Sequence, residues 1–217
     1  MYPEESAANR GGTRDPIVLC RELPAKRWPG DTERLSPGPT MGSVISVTHD
    51  LGEWLLDSDP ALRWQVQKDL LQHPRSDWEA TRAQIATEGF GARLLALQDE
   101  DGQWAGGAYF PGDFDWHGPE AQRGAGQPWT ATTWTLNTLR EWGMDPAPLD
   151  GTAELLERNS RWEYDDLPYW GGEVDCCINA FTLANGAWLG VDVSGLLAWF
   201  PDHQMDDGGG ECEWVEG

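Results

Sequence analysis

From His49 onward the apolar positions recur at helical spacing. In SDPALRWQVQKDLL, Ser58 or Asp59 is placed to cap a helix with Pro60 in its first turn, and Leu62, Val66 and Leu70 follow at four-residue spacing on one face. SDWE, Ser76 to Glu79, has the pattern of a capping box and predicts a helix that stops at Gly89. A shorter helix is predicted from Gly91 to Gln98. Two later segments differ in kind. In WTATTWTLNTLREW the apolar residues Trp129, Ala131, Trp134, Leu136, Leu139 and Trp142 surround the helical wheel, and CCINAFTLANGAWL has the same property, so both are expected to be buried on most sides. TAELLERNS and SGLLAWF, which follow them, read as amphipathic helices with a polar outer face. The two buried segments align at an offset of 47 residues, Trp134 with Phe181, Leu136 with Leu183, Gly143 with Gly190 and Asp145 with Asp192. One repeat is therefore an inner helix followed by an outer one. Strand signals are scarce, and the expected fold class is all-α.

The first 42 residues have no such periodicity. They are rich in Pro, Gly, Arg and Glu and include PGDTERLSPGPT, so residues 1–42 are expected to be a disordered tail and residues 43–217 the folded domain. Met41 competes with Met1 as the natural start. MGSVIS fits an acylation pattern only if Gly42 becomes terminal, and chance is the preferred reading of the match.

Charge narrows the partners. The tail holds six basic and six acidic side chains, leaving nine basic against 31 acidic beyond it, and no Lys or Arg occurs from Trp162 onward. Nucleic acid and anionic membrane surfaces would be repelled. The most apolar window, NAFTLANGAWLGVDVSGLLAWF, contains Asn179, Asn185, Asp192 and three glycines, which argues against a membrane span. Cys20, Cys176, Cys177 and Cys212 occur without an apolar leader, so a reduced, cytoplasmic protein is expected.

The stretch QDEDGQWAGG has the composition of a clip between helix pairs: Gln98 at a helix end, Gly102 in a turn, and Trp104 able to lie over the neighbouring helix. QMDDGGGECE repeats it with Gln204 and Gly208 in register and Gly210 in the tryptophan position. Gln98, Gly102 and Trp104 resemble the Gln-x-x-x-Gly-x-Trp repeat of the squalene and hopene cyclases, a superfamily that includes the protein prenyltransferase β subunits. LLDSDPALRWQV, LLALQDEDGQWAGG and GQPWTATTW are similar to small bacterial squalene-cyclase-like or prenyltransferase-like proteins. The resemblance implies an α/α toroid of inner and outer helices and an isoprenoid or other apolar ligand. It also implies a cavity lined by aromatic residues, here Trp104, Trp129, Trp134 and Phe181. About eight helices are expected after residue 49 where two per repeat would make some twelve in a closed ring, so a half-ring is predicted, with an open edge available for self-association.

The resemblance also implies chemistry. The cyclases protonate an alkene with an Asp-x-Asp-Asp motif; GDFDWHGP offers Asp113 and Asp115 without the third aspartate, and a solvated loop is the competing reading. The prenyltransferases hold zinc with an Asp-x-Cys pair and a later histidine. Asp175 and Cys177 match the pair, with His203 or Cys212 as further donors, and zinc there would activate an acceptor thiolate. Buried apolar cysteines are the alternative. A diphosphate would need Arg123, Arg140, Arg158 or Arg161, or magnesium on Asp165 and Asp166, each of which also reads as ordinary surface. His117, with Asp113 and Asp115, would make a metal site only on a strand. Three functions follow as expectations: an isoprenoid-handling enzyme of prenyltransferase or cyclase type, a non-catalytic helical-repeat binding protein, or a glycosidase on a helical double ring.

Overall fold

The computed structural model describes residues 49–122 and 129–210, all within one unit, Ile45–Gly217. The expected tail, both candidate starts, Arg123 and Cys212 lie outside the described residues.

The described chain is all-α. Its helices are α1 (His49–Leu56), α2 (Pro60–Gln65, prolonged by a π turn over Val66–Leu70), α3 (Arg75–Ala83) and α4 (Gly89–Leu95). Then come the short α5 (Pro119–Gln122), α6 (Thr132–Glu141), α7 (Thr152–Asn159), α8 (Cys176–Leu189) and α9 (Ser194–Asp202). Among the described residues, pairing of β type is limited to isolated bridges.

Helices α6 and α8 pack side by side and run parallel. Trp134, early in α6, meets Phe181 at 5.7 Å between ring centroids, and Arg140, late in α6, donates from Nη1 to Asn185 Oδ1 of α8 at 3.0 Å. The 47-residue offset is visible in their ends. Met144 N–H bonds Leu139 O at 3.1 Å and Val191 N–H bonds Gly186 O at 2.8 Å, the same closing bond around Gly143 (φ +81°) and Gly190 (φ +79°). Two residues on, Asp145 Oδ1 accepts from Ala147 N–H at 2.9 Å and Asp192 Oδ1 from Ser194 N–H at 3.0 Å, turning each chain into its next helical segment. The main core gathers Ile85, Trp104, Leu136, Leu139, Met144, Leu156, Trp162, Tyr169 and Ile178 around these helices.

The first helices depart from the periodicity. Val66 is buried, whereas Leu62 and Leu70 are 44% and 40% exposed; the inward residues of α2 are Pro60 and Ala61. The π turn, closed by Leu71 N–H to Val66 O at 2.9 Å, changes the rotation per residue beyond Val66, so Leu70 no longer shares its face. Asp59, rather than Ser58, caps α2 by accepting from Ala61 N–H at 2.9 Å. The SDWE box does not form. Helix α3 begins earlier, at Arg75 after Pro74, and Ser76 Oγ turns to Asp77 Oδ1.

Candidate functional site

The glutamine motif forms a bridged loop. Gln98 pairs with Trp104, Asp99 N–H bonds Gln103 O at 2.8 Å, and Gly102 occupies φ +91°, a conformation favouring glycine. Gln98 Nε2 donates to Gly102 O and to Thr152 Oγ1, both at 3.0 Å, tying the loop to the first turn of α7. Trp104 is 2% exposed, donates from Nε1 to Leu94 O of α4 at 2.7 Å, and donates from its backbone N–H to Thr132 Oγ1 of α6 at 3.1 Å. Gly107 and Ala108 carbonyls then satisfy the free N–H groups of Thr132 and Thr133 at the start of α6. This loop therefore sets where α6 begins.

The second copy adopts the same loop. Gln204 pairs with Gly210, Gln204 Nε2 donates to Gly208 O at 3.2 Å, Met205 N–H bonds Gly209 O at 2.9 Å, and Gly208 has φ +89°. Gly210 lies against Cys176 Sγ at the start of α8, where a Cβ has no room.

A continuous run of aromatic rings crosses the amino-terminal ends of α6 and α8. Trp116, Phe114 and Phe110 pack mutually at 4.8 Å, Phe110 meets Tyr109 at 5.3 Å, and Tyr109 meets Trp134 at 5.1 Å. Trp134 in turn meets Trp129 at 4.7 Å and Phe181 at 5.7 Å. Glu163 holds the loop that supplies four of these seven rings, accepting from Tyr109 and Phe110 N–H at 3.0 Å each. Trp116 and Trp129 are 48% and 58% exposed, so the run has a solvent-facing side, while Trp134, Phe181, Tyr109, Phe110 and Phe114 are half-buried. Such a wall presents ring faces to an apolar or cationic guest.

Three of the four expected lining residues, Trp129, Trp134 and Phe181, meet here. Trp104 does not; its indole is core, and Trp129 precedes α6 instead of forming part of it. The sequence reading missed Tyr109, Phe110, Phe114 and Trp116, which lie on a loop without periodicity.

The acidic and metal candidates are distributed differently. Asp113 and Asp115 are exposed, and Asp115 Oδ1 accepts from His117 N–H at 2.9 Å within a local turn. Asp175 precedes α8 and is 3% exposed, with its Oδ1 buried and unpartnered. Cys177 is exposed; Cys176 is half-buried, and burial first, then Cys177 and Asp175, pushes its thiol up from the usual range. His203 stacks on Trp199 at 3.8 Å and uses Nδ1 toward Trp199 O. Among the described residues no three His, Cys, Asp or Glu side chains gather as a donor set, at Asp175 and Cys177 or elsewhere.

Two of the candidate cations are engaged. Arg140 donates to Asn185 and to Glu141 Oε1 at 2.9 Å, and Arg161 donates to the Glu157 and Ser160 carbonyls at the end of α7. Arg158 lies in the last turn of α7. Asp165 and Asp166 are exposed in consecutive left-handed conformations, φ +53° and +55°. No helix among the described residues is long and apolar enough to cross a membrane.

No protein-family model, curated protein or solved structure matches the chain.

Proposed function

We propose that this protein handles an isoprenoid or similarly extended apolar molecule, bound against the aromatic run at the head of α6 and α8, and that its helix pairs are repeats of an α/α toroid. The observation that carries the reading is the unbroken sequence of rings from Trp116 through Tyr109 and Trp134 to Phe181, one side of which faces solvent. Core packing alone does not account for two tryptophans left half-exposed beside it. The parallel α6 and α8 with matched ends, and the two bridged loops, support the toroid part of the proposal.

Within this reading the described residues act as a binding surface. Asp113 and Asp115 sit in a hydrated turn, where a carboxyl group lacks the dry surroundings needed to protonate an alkene. A non-catalytic binding protein is accordingly the form of the proposal these observations favour.

Farnesol added to the full chain is expected to change tryptophan fluorescence saturably, and Trp134→Ala or Phe181→Ala to weaken binding about tenfold or more, since removing a buried aromatic contact of this size costs over ~1.4 kcal/mol. Unchanged affinity in both variants, with the fold intact by circular dichroism, would remove the aromatic run from the function.

A further inference from the structure

Between the Trp134–Phe181 and Arg140–Asn185 pairings, the α6–α8 interface contains polar atoms that bond to nothing. Asn137 lies three residues after Trp134 and three before Arg140, hence on the same side of α6. It is 8% exposed, and both its Oδ1 and its Nδ2 are buried without a partner. Trp134 Nε1 and Asn185 Nδ2 are in the same condition. By contrast, the indoles of Trp64, Trp104, Trp162 and Trp170 each donate to a backbone carbonyl, at 2.7 to 2.9 Å. Half of the eight unpartnered buried side-chain atoms among the described residues thus fall on α6 and α8, the two helices that carry Trp134 and Phe181. Native structures leave few such groups unpaired, so these four atoms call for a partner that the described side chains do not supply.

The chemistry of the cluster selects the head group. It presents three N–H donor groups, one indole and two amides, and one amide acceptor, Asn137 Oδ1. A diphosphate or carboxylate accepts only, leaves Oδ1 unpaired, and finds no free cation, because Arg140 is held by Asn185 and Glu141. An ammonium has the opposite defect. A plain hydrocarbon satisfies none of the four atoms. A hydroxyl both donates and accepts, and so can serve Asn137 Oδ1 while receiving a proton donor in return.

Resting on the function proposed above, we infer that the ligand is a neutral alcohol on an apolar skeleton, its hydroxyl seated at Asn137 and its chain lying along Trp134 and Phe181. Asn137 is then the residue that sets specificity, and its amide is unpaired because it waits for the ligand.

The test compares farnesol, the hydrocarbon farnesene and farnesyl diphosphate on the full chain, by calorimetry and fluorescence, with Asn137→Leu and Asn137→Ala alongside. The wild type is expected to bind farnesol about tenfold more tightly than either of the others, the scale of one or two hydrogen bonds. Both variants should lose that preference while keeping farnesene affinity within about twofold, and Asn137→Leu should melt no lower than wild type, since it removes an unpaired buried amide. Equal affinity for farnesol and farnesene, tighter binding of the diphosphate, or a preference that survives in the variants would overturn the inference and leave the amides to buried water. Failure of all three molecules to bind would instead overturn the function on which it rests.

Discussion

Tyr169 shows how one side chain ties the segment after α7 to the head of α6. Its ring stacks on Trp162 at 5.0 Å with 14° between planes, and its hydroxyl shares a 2.9 Å hydrogen bond with Thr133 Oγ1 at the head of α6. Fully buried, it has a phenol pushed far above the usual range, chiefly by loss of solvent, with a further push from the Glu163 carboxylate; the Thr133 bond acts the other way. The sign of the stability effect follows. Below about pH 10 the hydroxyl is protonated in folded and unfolded chains alike; above it the unfolded chain releases the proton and the folded one does not, so stability falls as pH rises. Tyr169→Phe is expected to flatten that alkaline decline in urea titrations run near pH 7 and pH 10.5, while costing about 1 kcal/mol at neutral pH because Thr133 Oγ1 loses its partner. An equally steep decline in the variant would assign it to the other tyrosines.

At the scale of elements, the two bridged loops are a natural comparison, one with its neighbour in place and one exposed. Gln98→Ala removes a donor that bonds both Gly102 O and Thr152 Oγ1, and is expected to destabilise by about 1–2 kcal/mol; Gln204→Ala, losing one 3.2 Å bond at the surface, should cost less than about 0.5 kcal/mol. Gly102→Ala should be worse than Gly208→Ala. Both force a side chain into φ near +90°, but at Gly102 the new Cβ would also stand 2.6 Å from Leu155 Cβ of α7. Chemical denaturation of the four variants gives the ranking, and a reversed order would place the load on the second loop instead. These loops were legible beforehand because Gln, Gly and Trp each have a backbone reason to stand where they do. So were α8, whose bounds coincide with CCINAFTLANGAWL, and the Trp134–Phe181 contact, because equal phase in parallel neighbours brings equivalent residues together. The π turn of α2 was not, since hydrophobic spacing assumes a constant rotation per residue. Nor were Tyr109 to Trp116, which a loop and the Glu163 carboxylate position without any period. Asn137 had no such signal: it is one polar residue among several on α6, beside Thr133, Thr135 and Thr138, and only three dimensions show that it lacks a partner.

For the whole molecule the governing quantity is charge. Nine basic against 31 acidic side chains beyond residue 42, and none basic from Trp162 onward, mean that the helices around the aromatic site sit in a field of one sign. The ion pairs Lys68–Asp69 and Arg75–Glu79 are solvent-exposed and contribute little, so screening them away costs less than relief of the general repulsion restores. Raising sodium chloride from about 0.01 M to about 0.3 M, which shortens the screening length from roughly 30 Å to under 8 Å, is therefore expected to raise the melting temperature by several degrees. A flat or falling melting temperature would mean that local pairing, not net repulsion, dominates. The same field acts on ligands in a way that separates head groups. Farnesol carries no charge, so its affinity should stay within about twofold across that salt range, whereas any binding of farnesyl diphosphate should strengthen as salt screens the acidic surface. A farnesol affinity that climbs steeply with salt would show that the site reads charge after all, and the argument for a neutral head group, built on amides and an indole, would lose its support from the molecule at large.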